Sequence, residues 1–131
     1  MISRDTVDQL FATFAWAIDA REFELLNGVF TADASFVVGI TGGDTYGPFE
    51  GREAVVDFIA TTTKEQRDQR RHVITNLRLS GESSATAINT LIVVAGGELT
   101  VKTAGVYRVE LAQEDGAWRF VSMDLALDLA F

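Results

Sequence analysis

A chain of 131 residues with 47% hydrophobic residues has the size of one domain and enough apolar side chains for a core. Its net charge of −8 leaves no basic face for nucleic acid, and the absence of cysteine excludes disulfides, thiolate catalysis and cysteine-ligated zinc. A single proline and 11 glycines argue against disorder.

The first stretch, MISRDTVDQLF, is acidic and polar rather than a signal peptide. No run of about 18 apolar residues is present, so no membrane span is expected and a cytoplasmic protein is the default. Residues Arg4 to Ala20 predict a helix with one apolar stripe of Val7, Leu10, Phe11, Phe14, Ala17 and Ile18. Asp19 falls at the edge of that stripe and Trp16 on the far side. Glu22 to Phe30 predicts a second short helix with Phe23, Leu26 and Phe30 on one face, and ADASFVVGI then reads as a strand.

The segment TGGDTYGPFEG holds four glycines and Pro48, and reads as a flexible lid or loop. Gly51 opens a third helix, REAVVDFIATTTKE, with Val55, Phe58 and Ile59 facing inward. The basic cluster Lys64 to Arg71 contains Glu65 and Asp68 and reads as a solvated helix end. From Arg71 onward the pattern is strands only, at about 71–80, 84–95, 99–112 and 117–128, separated by the turns SGES, AGGE and QEDG. Helices followed by hairpin-linked strands predict an α+β fold: an antiparallel meander covered by helices on one face. The strand ATAINTLIVVAG is nearly apolar throughout and reads as buried on both faces. The face left free by the helices is therefore expected to meet another copy, in a homodimer or homotrimer.

His72 is the only histidine. It alternates with Ile74, Asn76 and Arg78, opposite the more apolar Val73, Thr75, Leu77 and Leu79, and on that pattern alone reads as structural. Asp19 stands at a helix C-terminus, where the macrodipole disfavours a carboxylate by about 0.3–1 kcal/mol. Brought together, the two make a carboxylate–imidazole dyad, a general base that needs no metal, thiol or other cofactor. His72 with carboxylates is a poor ligand set for zinc. Candidate pocket walls are Trp16, Phe36, Tyr46, Phe49 and Phe58, with Val121, Met123 and Leu125 as an apolar floor. Tyr46 and Asn89 are candidates to stabilise developing charge. No GxSxG, P-loop, dinucleotide fingerprint or HExxH is present.

WAIDAREFELLNGVFTADASF, FEGREAVVDFI, RRHVITNLRL and GVYRVELAQEDGAWRFVS, in that order, resemble the SnoaL-like members of the nuclear transport factor 2-like superfamily over nearly the whole chain. The resemblance implies a cone-shaped, bent antiparallel sheet with three helices enclosing a pocket. In the scytalone dehydratase and lindane dehydrochlorinase branch, an aspartate late in helix one pairs with a histidine opening the next long strand. Asp19 and His72 match those positions. The branch's anion-receiving lysine and arginine are replaced here by Phe14 and Met123, a second histidine is missing, and Ile18 stands where a tyrosine would help. What the resemblance implies is a cofactor-independent lyase or isomerase acting on a small hydrophobic organic molecule. It also admits a non-catalytic ligand-binding or accessory subunit, like a ring-hydroxylating dioxygenase β subunit, and a polyketide-cyclase-like enzyme.

Overall fold

The computed structural model describes residues 2–131. Ser3 opens helix α1 (Arg4–Asp19) as its N-cap, its hydroxyl accepting from the Thr6 amide at 3.2 Å. The helix buries Val7, Phe11, Phe14, Ala17 and Ile18, the stripe its spacing predicts. Arg21 takes a left-handed conformation (φ 58°) and turns the chain away. The second helix is shorter and tighter than expected, a 3-10 turn over Phe23–Gly28. Phe30 is the first residue of strand β1 (Phe30–Ile40) rather than part of that helix.

The glycine-rich segment is not a free lid. Thr45–Glu50 forms strand β2, paired antiparallel with β1. Its composition hides this because Pro48 and Gly47 usually mark turns, but β2 is an edge strand, where a missing ladder donor is tolerated. Gly47 is required there: its φ is +91°, and a Cβ would stand 2.7 Å from the Phe36 carbonyl oxygen. The Gly47–Pro48 peptide is cis. Helix α2 (Arg52–Glu65) follows and buries Val55, Ile59 and Thr63.

Strands β3 (Gln69–Ser80), β4 (Ser84–Ala95), β5 (Glu98–Glu114) and β6 (Ala117–Leu127) form the hairpin-linked meander. The six strands lie in the order β2-β1-β6-β5-β4-β3. The sheet is mixed rather than purely antiparallel, because β6 runs parallel to β1. That pairing joins segments nearly ninety residues apart, and no turn signal announces it.

Two bulges reset which residues face inward. In β3 the register shifts between Thr75 and Arg78, with Asn76 at φ 56°, so that Leu77 joins the face of His72 and Ile74. The seemingly apolar face of β3 is thus the outer one. In β6 the shift opposite Glu110 and Leu111 places Phe120 and Met123 inward and leaves Val121 half-buried. Strand β4 alternates after all: Ala85, Ala87, Asn89, Leu91 and Val93 are buried, while Ile88 and Ile92 are only half-buried on the outer face. In this single chain that outer face also exposes Leu99 and Val101, at 68% and 64%.

The core lies between the inner face of the sheet and α1. Phe11, Phe14, Phe30, Tyr107 and Phe120 interlock there, with Phe11 and Phe120 centroids 5.0 Å apart and Phe14 edge-on to Tyr107 at 5.8 Å. Gly105 lets β5 cross close to β6; a Cβ on it would lie 2.2 Å from the Ala126 carbonyl oxygen. No helix among the described residues is long and apolar enough to cross a membrane.

Candidate active site

Asp19 is the last residue of α1, and its carboxylate reaches to the start of β3. One oxygen, Oδ2, accepts from the backbone N–H of His72 at 2.9 Å. The other, Oδ1, lies 2.6 Å from His72 Nδ1. Gln69 donates its side-chain amide to the Asp19 carbonyl at 3.1 Å, and Arg21 donates to the Gln66 carbonyl at 2.8 Å, so the helix end is tied to β3 and to the end of α2. Both dyad side chains are nearly buried, at 13% exposure for His72 and 11% for Asp19. A carboxylate facing Nδ1 selects the tautomer with the proton on that nitrogen, which leaves Nε2 with a free lone pair. The unfavourable helix-end position of Asp19 is thus answered by two donors on β3.

The imidazole borders a cavity of about 80 Å³. Phe14 and Ile18 of α1 wall it on one side, and Phe58, Ile59 and Thr62 of α2 on another. Phe36, Leu91, Tyr107, Leu125 and Leu127 supply the sheet side. The surroundings are mostly apolar, with polar groups at a few places, the usual make-up of a small-molecule site.

Of the residues expected from sequence, His72, Phe36, Phe58, Asn89 and Leu125 line the cavity, and Asp19 stands behind His72. The others lie elsewhere. Trp16 is 61% exposed, and its indole N–H donates to the Glu22 carboxylate on the surface. Phe49 stacks on the far side of Phe58, with centroids 4.1 Å apart, and belongs to a shallow outer groove. Tyr46 packs against Phe58 and Phe131 at 6.2 and 5.6 Å, as a layer outside the wall. Met123 is buried in the core without reaching the cavity, and the β6 bulge takes Val121 off the inner face. The floor is Leu125 and Leu127 instead.

Among the lining residues that the sequence pattern does not assign to the pocket, two carry ionisable side chains, Tyr107 and Arg70. Tyr107 alternates with Val109 and Leu111 on β5, a period-two signal that could have placed it inside. Burial, and then the negative charge of Asp19, push its hydroxyl pKa well above the ordinary 10.0, so it remains an O–H donor. Arg70 shares the inward face of β3 with His72 and reaches the cavity rather than solvent. Its guanidinium donates to both Asp68 oxygens, at 2.8 and 3.4 Å. That hydrogen bond is the main reason the Asp68 carboxyl is held below its ordinary 3.8, against the opposing effect of burial. The arginine's charge is therefore matched locally.

Asn89, 2% exposed, is the anomaly of the site. Among the described residues its Oδ1 has no hydrogen-bond partner. Phe14 lines the cavity and Met123 lies in the core, so neither position supplies a cation for a departing anion.

The SnoaL-like domain pattern matches residues 1–124. Among solved structures, the β subunit of a putative aromatic-ring-hydroxylating dioxygenase from Novosphingobium aromaticivorans is 18% identical, with a TM-score of 0.80 over 98% of this chain and 90% of that one. A Catenulispora acidiphila protein solved in complex with S-DNPA is 28% identical, with a TM-score of 0.77 over 94% and 91%. LinA is 24% identical, with a TM-score of 0.72 over 95% and 85%. No curated protein matches the chain in sequence.

Proposed function

We propose, from the premise that this chain belongs to the SnoaL-like domain family, that it is a cofactor-independent lyase or isomerase of a small, mostly apolar molecule. His72 is the general base and Asp19 its orienting partner. The observation that carries this reading is the 2.6 Å contact between Asp19 Oδ1 and His72 Nδ1 at the wall of an apolar cavity. With Nδ1–H held by the carboxylate, Nε2 takes a proton from a substrate carbon. The electron pair left behind either expels a leaving group, giving an alkene, or is reprotonated at another carbon, giving an isomer. A positioned base of this kind contributes about 10²–10⁴-fold.

The likeness to LinA, a lindane dehydrochlorinase, supports proton abstraction as the type of step. It does not carry over the substrate, since Phe14 and Met123 offer nothing to receive chloride. The test is turnover by His72→Ala and Asp19→Asn across a panel of dehydratase, isomerase and cyclase substrates. A substrate turned over by the native chain should lose at least about 100-fold in the His72 variant. Turnover unchanged from that of the native chain in both variants overturns the reading.

The likeness to a dioxygenase β subunit favours a second reading, a non-catalytic accessory chain. Stable co-purification with a larger subunit whose activity is indifferent to His72→Ala would select it over the first.

A further inference from the structure

Three strands bring Asn89 beside both the dyad and Tyr107. Asn89 of β4 pairs with Ile74 of β3 on one side and Gly105 of β5 on the other. His72 pairs with Leu91, and Tyr107 pairs with Ala87. Asn89 is therefore the diagonal neighbour of His72 across one ladder and of Tyr107 across the next, a spacing of about 7–8 Å on one face of the sheet. Gly105, directly opposite Asn89, adds no side chain between them. All three polar groups line the same cavity.

Two other buried polar side chains, Thr103 and Thr31, are satisfied. Thr103 donates to the Leu129 carbonyl at 2.8 Å and accepts from the Leu129 amide at 3.1 Å, and Thr31 donates to Asp33 at 2.9 Å. Asn89 Oδ1 is not, although it is as deeply buried. Buried polar atoms in folded proteins nearly always find a partner, and one left over beside a cavity calls for a donor from within that cavity. Tyr107 adds the complementary function, since its hydroxyl keeps its proton and is a donor.

We propose that Asn89 and Tyr107 form a polar anchor for a hydroxyl group of the substrate, so that the cavity selects a hydroxyl-bearing, single-ring-sized molecule over a hydrocarbon or halide of the same shape. The hydroxyl oxygen accepts from Tyr107 and its hydrogen is donated to Asn89 Oδ1. A hydroxyl is the simplest group that serves both partners at once. A halogen offers no proton and would leave the carboxamide oxygen orphaned. The anchored group sits one diagonal step from His72, which places a neighbouring carbon of the ligand toward the imidazole. The inference rests on the reading of this cavity as the substrate site, and extends it from a general apolar preference to a stated functional group.

Phenol and toluene test it, because they differ by a hydroxyl in place of a methyl. Their dissociation constants are measured with the full chain by amide chemical-shift titration, reading residues around the cavity. An apolar cavity without an anchor prefers toluene, the less hydrated of the two. The proposal expects phenol to bind at least about tenfold tighter, as sites built to pair a hydroxyl discriminate strongly against its absence. Tyr107→Phe and Asn89→Leu should each remove the preference while leaving toluene binding within about threefold, which also shows that the cavity is intact. If Asn89→Leu does not fold, the native ratio and Tyr107→Phe decide. Toluene binding as tightly as phenol in the native chain, or a phenol preference that survives these substitutions, overturns the anchor. Because the readout is binding and not turnover, the anchor and the dyad can fail separately.

Discussion

Asp19 holds His72 at two points, the ring at Nδ1 and the backbone at its amide, with one carboxylate oxygen for each. Both groups on the histidine are donors in this arrangement, so two acceptors are needed. Asparagine offers only one. Asp19→Asn should destabilise the fold by about 1–3 kcal/mol, because a part-buried donor then faces an amide NH₂. Urea unfolding measures that loss. Long-range proton–nitrogen spectra of His72 should at the same time change from a single Nδ1–H tautomer to a mixture. A tautomer unaffected by the substitution would mean that the carboxylate does not orient the ring.

Tyr107 predicts an alkaline limit on stability. Its folded pKa is raised, by burial first and by Asp19 second, above the 10.0 expected in an unfolded chain. The buried phenol's contribution is therefore complete below about pH 10 and is lost as pH rises from there toward the folded value, because the unfolded chain ionises first. In a Tyr46→Phe background, where Tyr107 is the only tyrosine, phenolate absorbance should appear only as the chain unfolds. Tyr107→Phe should flatten this part of the stability–pH curve.

Gly105→Ala should be among the more damaging single-methyl changes in the chain. The added Cβ meets the backbone of Ala126 at 2.2 Å, and a backbone atom in a paired strand has little room to yield. A loss of about 3 kcal/mol, at the upper end of ordinary overpacking, is expected in denaturant melts. A melt like that of the native chain would show that β5 and β6 can separate locally at no cost.

The two aromatic substitutions Trp16→Ala and Phe120→Ala should diverge. Trp16 lies on the surface of α1 and its loss should cost under about 0.5 kcal/mol. Phe120 is fully buried against Phe11, Phe14 and Phe30, and its truncation should cost about 3–5 kcal/mol. Comparable losses for both would contradict the core described here.

What could be read from the sequence was whatever repeats locally. The α1 stripe declares itself at 3.6-residue spacing, and SGES, AGGE and QEDG mark the hairpins because a short glycine-containing break between alternating runs has few other conformations. Asp19 stood out through its conflict with the helix dipole, and its partner through family resemblance rather than pattern. The failures were of two physical kinds. Bulges at Asn76 and before Met123 shift the inward face by one residue, and a strict period of two cannot register them; Leu77 and Val121 were misplaced for that reason. The pairing of β1 with β6 is non-local, and β2 is an edge strand whose glycine and proline imitate a loop. Trp16 and Tyr46 have the chemistry of pocket walls but not the position. Tyr107 alternates with Val109 and Leu111 on β5, a local signal of an inward position.

The position of β6 has a consequence for how the site comes into being. It lies between β1, which belongs with the helices and β2, and β5, which belongs with the meander. Asp19 comes from the first group and His72 from the second. A ribosome delivers both halves before the strand that joins them into one sheet, and Leu125 and Leu127, the floor of the cavity, lie at the end of that strand. Until that seam closes, the chain holds a carboxylate and an imidazole with no continuous sheet to keep them in register. The carboxylate–imidazole pair is thus a property of the finished sheet rather than of either half.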